Sequence, residues 1–310
     1  MITPVLASGT RIAWSSKRQS AFGSALSESD FTRFLKLRDP LIINESAKHW
    51  DDRGSVGSGH DWTENRGRER QSVTFDIPTQ SLPVDFIGYL LGLLFSDENA
   101  QTTSGGANQH SCSFKSLKDR PSAWTTSLAV GEDDLNYVVQ DAAVTKLTIS
   151  GEGTDRLSAG AEFVASRIGS SLSGEEWPAS VPLRYLYNYA GSFSLEGDSS
   201  RTSQLKSFSM SLGSGIKTDQ AWQKTASESD RIYPSWWPYS PERNMSLTLS
   251  LIGSSGDLDI FRSAQQQATP MAVVISCLGL STAAPAARRA PRTQIMPRAR
   301  RCFPQRVPSC

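Results

Sequence analysis

The sequence predicts a mainly β chain of the α+β kind, on three observations. Apolar residues alternate with small or polar ones at 73–77, 144–149, 157–163, 206–212 and 245–251, the period-two pattern of half-buried strands. One strong helical period stands apart from these, at 81–96. Serine, glycine and threonine are abundant, which suits many short strands joined by turns. With 310 residues and 38% apolar content, the chain is long enough to bury a sizeable core.

Taken in order, residues 1–30 are polar, with little periodic signal beyond Ile12 and Trp14. Residues 27–37 fit either a short helix capped by Ser27 or Ser29, or a strand with Phe31, Arg33, Leu35 and Leu37 on one face. A long polar loop is expected over 44–66, with Gly54, Gly57 and Gly59 in it; such loops are usually functional or interface-forming. Val73, Phe75 and Ile77 then mark a strand closed by Pro78. Ser81 is placed to cap a helix that has Pro83 in its first turn and runs to about Ser96. Val84, Ile87, Leu91 and Leu94 fall on one face, and Phe86, Leu90 and Leu93 widen it. A substantially buried helix is therefore expected, with Ile87, Leu90, Leu91 and Leu94 as its core positions. A second polar loop follows at 97–111.

Val144, Leu147 and Ile149 lead to a turn at Gly151-Glu152-Gly153, and Leu157, Ala159, Ala161 and Phe163 read as the antiparallel return strand. Phe193 and Leu195 mark a further strand, and Lys206, Phe208, Met210 and Leu212 share the face of another. Met245, Leu247, Leu249 and Leu251 form the cleanest alternation in the chain. Before them lies an aromatic, proline-studded loop at 232–241. Asp257 is placed to cap a short helix through Gln267, and 271–275 reads as a final strand.

The balance of 32 basic against 31 acidic residues hides an asymmetry. Residues 278–310 carry seven arginines and no acid; without them, 1–277 holds 25 basic and 31 acidic residues, a formal charge of −6. Phosphate binding is driven by clustered Lys and Arg, so an acidic body argues against a dedicated nucleic-acid-binding surface. It is compatible with a surface past which DNA slides. Residues 1–277 are accordingly expected to form one β domain. Residues 278–310, rich in Pro, Ala and Arg, form a tail that is either disordered and bound to something acidic or an out-of-frame read of a GC-rich gene; the second reading is preferred.

Three of the four cysteines (Cys277, Cys302, Cys310) lie in or beside that tail, and Cys112 alone cannot make a disulfide framework in the body. The N-terminal stretch has no apolar segment of signal-peptide length, and the longest apolar run, 86–95, is far below bilayer-spanning length. Synthesis in a reducing cytoplasm, without a membrane, is expected.

No enzyme chemistry is legible. His49, His60 and His110 are far apart and have no partner at metal-ligand spacing. Carboxylates cluster at Asp51-Asp52, Glu132-Asp133-Asp134 and Glu175-Glu176, but neighbours on a strand point to opposite faces, so these read as solvated loop charge rather than a hydrolytic pair. Neither a cofactor nor a metal is expected. Trp236 and Trp237, with Tyr233 and Tyr239, suit either a sugar-stacking platform or a packing and interface role. The flanking prolines favour the second.

Several segments, in this order, resemble the tail tube proteins of long-tailed bacteriophages and prophages. Gln19-Ser20-Ala21-Phe22-Gly23-Ser24-Ala25-Leu26 is similar to an early segment of that family, and Gly57-Ser58-Gly59 ends a polar region as it does there. The strand at 72–77, the run Leu90-Leu91-Gly92-Leu93-Leu94 and Pro121-Ser122-Ala123-Trp124-Thr125 follow. Asn136-Tyr137 through Ala143-Val144-Thr145-Lys146-Leu147-Thr148-Ile149-Ser150-Gly151 resembles a further strand, except that the glycine expected in this stretch is absent where Gln140-Asp141 stand. The resemblance spans about 10–276. It implies a β-sandwich or barrel with a flanking helix, six copies per ring, and rings stacked into a tube that conducts the genome during ejection. The implied partners are further copies of the chain, with tape-measure and tail-terminator or baseplate proteins. The implied location is the virion tail, assembled in the bacterial host cytoplasm, with DNA passing through unbound. The loops at 44–66 and 97–111 would then make contacts between rings.

Two rivals come from other classes. A β-sandwich carbohydrate-binding or hydrolytic protein needs a solvent-facing aromatic cleft with convergent acids. An outer-membrane barrel needs many apolar-faced strands closed on themselves.

Overall fold

The computed structural model describes residues 10–15, 17–39, 41–48, 69–95, 100–104, 107–111, 124–132, 135–171, 183–195, 205–218, 222–224, 231–240, 244–252 and 273–279. All of them fall within the unit Met1–Leu280. The chain opens with β1 (Arg11–Trp14), β2 (Arg33–Lys36), β3 (Ile42–Lys48) and β4 (Glu69–Ser81), followed by the helix α1 (Val84–Phe95). A hairpin of β5 (Ala100–Ser104) and β6 (Ala107–Ser111) comes next. Then follow β7 (Thr126–Glu132), β8 (Leu135–Glu152), β9 (Ser158–Ala165) and β10 (Arg167–Ser171). The remaining strands are β11 (Leu186–Leu195), β12 (Leu205–Gly213), β13 (Trp222–Lys224), β14 (Arg231–Pro234), β15 (Met245–Leu251) and β16 (Val273–Gly279). Twelve strands join one sheet, while β11–β16 and β5–β6 form separate pairs.

The mainly β class with one helix is therefore observed among the described residues. Closure into a barrel is not: the sheet is open, with β13 and β2 at the ends of its longest path. Its pairings are antiparallel except for a short parallel contact of β14 with β4.

The organising element is β8, 18 residues long. Its first part pairs with β7 and β10, and its second part with β9 and β12, so one strand serves two arms of the sheet. The arms change over at Asp141, whose φ of 55° is left-handed. The neighbouring chain breaks at the same level, where Ser166 separates β9 from β10. Around the junction lies one large core. Ile12, Trp14, Leu128 and Val139 from one arm meet Phe75, Ile77, Leu147 and Phe163 from the other, with α1 packed between. Trp14 lies 4.7 Å from Phe86 of the helix, and Phe75 stacks on Phe163 across the β4–β9 pair at 4.6 Å.

Several local expectations need correction. Pro78 does not end β4; the strand passes through a register shift between Ile77 and Gln80, where a proline's missing donor is tolerated. That irregularity presses on Gly160 of β9, where a Cβ would sit 3.0 Å from the Thr79 nitrogen and 3.1 Å from the Ile77 carbonyl oxygen. Ser81 belongs to β4, paired with Ser158, and the Pro83 carbonyl receives the first helical bonds, from Phe86 and Ile87. Ile87, Leu90 and Leu94 are buried as expected, but Leu91 is only partly so; the buried face is centred on Phe86, Leu90, Leu93 and Leu94. Residues 44–48 of the expected first loop form β3 along β4, and the rest of that loop lies outside the described residues. Most of 97–111 is the β5–β6 hairpin. Residues 27–37 hold a single 3-10 turn, Glu28–Asp30, and then β2, with Phe31, Leu35 and Leu37 buried and Arg33 exposed. The last strand runs through Gly279, two residues past the expected domain boundary; the helix expected at 257–267 lies outside the described residues.

The Asp141 carboxyl ties the junction together. It accepts from the Gly23 N–H at 2.6 Å, from Gln19 Nε2 at 3.1 Å and from the Ser166 hydroxyl. Its backbone carbonyl accepts from Trp237 Nε1 at 2.8 Å. Asp141→Gly relieves the left-handed backbone but strands these donors, whereas Asp141→Ala does the second and adds strain. In denaturant unfolding, the glycine variant is expected to be more stable than the alanine variant by about 1 kcal/mol. Both should lie about 2 kcal/mol or more below the parent, because buried donors lose their acceptor. An alanine variant as stable as the glycine variant would remove strain from the account.

Candidate functional site

The aromatic loop splits into two roles. Trp237 is fully buried, held by its bond to Asp141 and packed against Ala143 and Val164, with Phe22 edge-on at 5.9 Å. Tyr239 is partly buried in the same cluster and bridges to Ile216. Trp236 is 41% exposed. Tyr233 lies on β14, its backbone paired with Gln223. The pair Trp236-Trp237 is thus not one flat platform: one tryptophan is core and its neighbour is exposed. The 19–26 segment singled out by resemblance docks at the same place through Gln19, Phe22 and Gly23, and the Leu26 N–H reaches the Ser127 hydroxyl at 3.1 Å.

Asp51, Asp52, His49 and His60, with Glu175 and Glu176, lie outside the described residues. No cluster of metal-ligating side chains occurs among the described residues. No helix among them is long and apolar enough to cross a membrane.

The feature the sequence did not bring together is the outer face of the sheet formed by β3, β4, β9, β8, β12 and β15. Cross-strand registers line up hydroxyls in rows. Thr248, Ser209, Ser150, Ser158 and Ser81 form one row across five strands. Ser246, Ser211 and Thr148 form the next, running to Gly160, and Ser250 and Ser207 lead to Glu152 on the other side. Period-two alternation foretold that each strand has a polar side, but only the register shows that these sides make one surface. A shallow groove of about 340 Å³ runs over it, with Asp155 and Arg156 at one end. Arg156 lies over the Tyr185 ring at 4.4 Å and bonds the Tyr187 hydroxyl at 3.2 Å.

A charged row crosses the same face. Lys146 pairs with Glu162 at 2.7 Å, and Asp76 stands opposite Glu162 on β4. The hydrogen bond from Lys146 to Glu162, then their opposite charges, raise the Lys146 ammonium pKa. Partial burial, then the Glu162 charge, raise the Asp76 carboxyl pKa, with Lys146 opposing.

Two tests follow from these contacts. Trp237→Ala should cost about 3–5 kcal/mol in unfolding free energy, while Trp236→Ser should stay within about 0.5 kcal/mol; equal effects would contradict the split. A carboxyl whose pKa is raised on folding favours its protonated form in the native state, so its stabilising contribution is present at low pH and lost as pH rises through the raised value. Asp76→Asn should therefore be slightly more stable than the parent at pH 7, by less than about 1 kcal/mol given solvent screening. Thermal melts across pH should show the two converging in acid; a gap that widens there would refute the assignment.

No model of a known protein family matches the chain, and no curated protein matches it.

Proposed function

We propose that this chain is a structural subunit of a phage tail tube, assembling into stacked rings, with six copies in each, that conduct DNA during ejection. The observation that carries the reading is the hydroxyl-rich outer face. A channel wall for a polyanion must offer neither clustered cations, which would hold phosphate, nor apolar surface, which would dewet. Over β4, β9, β8, β12 and β15, rows of Ser and Thr with Asp76, Glu152 and Glu162, and a lysine already paired, meet both conditions; Ile42 of β3 is an exposed apolar residue on the same face. The −6 body and the order of family-like segments support the same reading. On this reading the partners are further copies, a tape-measure protein and terminator or baseplate proteins, and the site of action is the virion tail after assembly in the host cytoplasm.

The open sheet bears on the fold expectation as well. A single subunit need not close a barrel if closure comes from neighbouring copies. The carbohydrate-binding alternative loses its platform, because Trp237 is buried; what remains for it is Arg156 with Tyr185 and Tyr187 beside the groove.

Negative-stain microscopy of the purified full chain, over a rising concentration series, tests the proposal. Six-fold rings or hollow tubes are expected. A monomer that persists at the highest concentration would sink it.

A further inference from the structure

We infer that the groove beside the β8–β9 turn binds a hexuronic acid unit, a sugar ring that carries a carboxylate, with Arg156 as the group that selects the acid. Binding there is independent of the tube reading, since a solute of this size reaches the groove in a free subunit or in a water-filled channel. The place and the chemistry both differ from those of the tryptophan pair: the groove is polar and its anchor is a cation.

The turn holds one side chain still. The Gly153 N–H reaches the Lys206 carbonyl at 3.0 Å, the Asn188 N–H reaches the Asp155 carbonyl at 3.1 Å, and the Leu157 N–H reaches the Leu186 carbonyl at 2.9 Å. Leu157 is buried in the core, while Arg156 before it lines the groove. The Arg156 guanidinium lies 4.4 Å from the Tyr185 ring and 5.8 Å from that of Tyr187, and its Nε donates to the Tyr187 hydroxyl. A long side chain clamped in this way gives up little freedom when it takes a ligand.

The clamp leaves the guanidinium charge uncommitted. Asp155 and Glu152 line the same groove, yet among the described residues Arg156 makes no ion pair with either. The donors of the fork beyond Nε suit a carboxylate bidentately.

The rest of the groove sets the ligand class. Its floor is two outer-face rows, Thr248-Ser209-Ser150-Ser158 and Ser250-Ser207-Glu152, on strands about 4.8 Å apart. Protein hydroxyls donate and accept, as those of a sugar ring do, and the Glu152 and Asp155 carboxylates add acceptors. A volume of about 340 Å³ is in the range of small-ligand sites. Other classes fit less well. A nucleic acid needs a series of cations, and here a single arginine stands with two acids. A peptide carboxylate brings few hydroxyls to meet the rows, and a neutral sugar leaves the guanidinium edge without a partner.

Titration of the full chain with glucuronate, glucose and acetate, followed by ligand-observed NMR, tests this. Glucuronate and glucose differ only in the carboxylate at C6, and acetate supplies a carboxylate without the hydroxyls. Glucuronate should bind at least about tenfold more tightly than either, the margin of a charge-assisted bidentate pair. Arg156→Gln should bring glucuronate down to the level of glucose and leave glucose unchanged; Arg156→Lys should not restore the preference. Ser209→Val should weaken glucuronate and glucose by the same factor. Both side chains are exposed, so circular dichroism should match the parent. Acetate binding as tightly as glucuronate would overturn the proposal in favour of a plain anion site. So would a preference for glucuronate that survives Arg156→Gln, equal binding of glucose, or no binding of any of the three. None of these outcomes bears on ring assembly, which microscopy reads separately.

Discussion

Asp141 holds a left-handed backbone conformation in the interior of a long strand, and its carboxyl and carbonyl together gather four partners from three distant parts of the chain. Aspartate is poorly suited to strand interiors, and a positive φ is unfavourable for residues other than glycine. Both penalties are offset here, because the kink re-aims β8 from one arm of the sheet to the other and the polar groups it buries are bonded. The donors come from the N-terminal segment, from the β9–β10 break and from the aromatic loop. Each of those segments lacks regular pairing of its own at that point, so the junction positions them as much as they satisfy it.

The core depends on this bend. Without it, β8 would run straight, and Val139 would not share a cluster with Leu147 and Phe163. With it, the helix packs against the core the two arms share, and the face turned away from the core can be polar over five strands. Buried aromatic packing explains the inside, notably Phe75 on Phe163 and Trp14 on Phe86. Register explains the outside, since every antiparallel step carries a hydroxyl position onto its neighbour.

The legible parts of the sequence were those where period alone determines the answer. The helix was visible because apolar residues recur every three or four positions, and the β8–β9 hairpin because alternation flanks a glycine turn. Residues 44–48, 100–104 and 107–111 were taken for loops because their side chains are polar; their strand state comes from pairing with a partner, which a local pattern does not contain. The 245–251 alternation was read correctly as a strand, yet Met245 and Leu247 of its apolar side are exposed, because alternation identifies a face without saying what covers it. Asp141 left a trace that was open to reading: Gln140-Asp141 stands in a stretch where glycine was expected, and a left-handed conformation is what glycine supplies most easily. The three acceptor contacts could not be anticipated, since their donors lie up to 122 residues away.

A constraint links the bend to the outermost strand of the second arm, β15. The arm that carries the hydroxyl rows begins where β8 turns at Asp141, and its β12–β15 end grows outward from the second half of that strand. Had β8 stayed in one arm, β12 would have had no ladder on which to form, and β15 no position beyond it. The same residue that permits a buried core on one side therefore creates the overhang on the other, where Met245 and Leu247 reach past their cover.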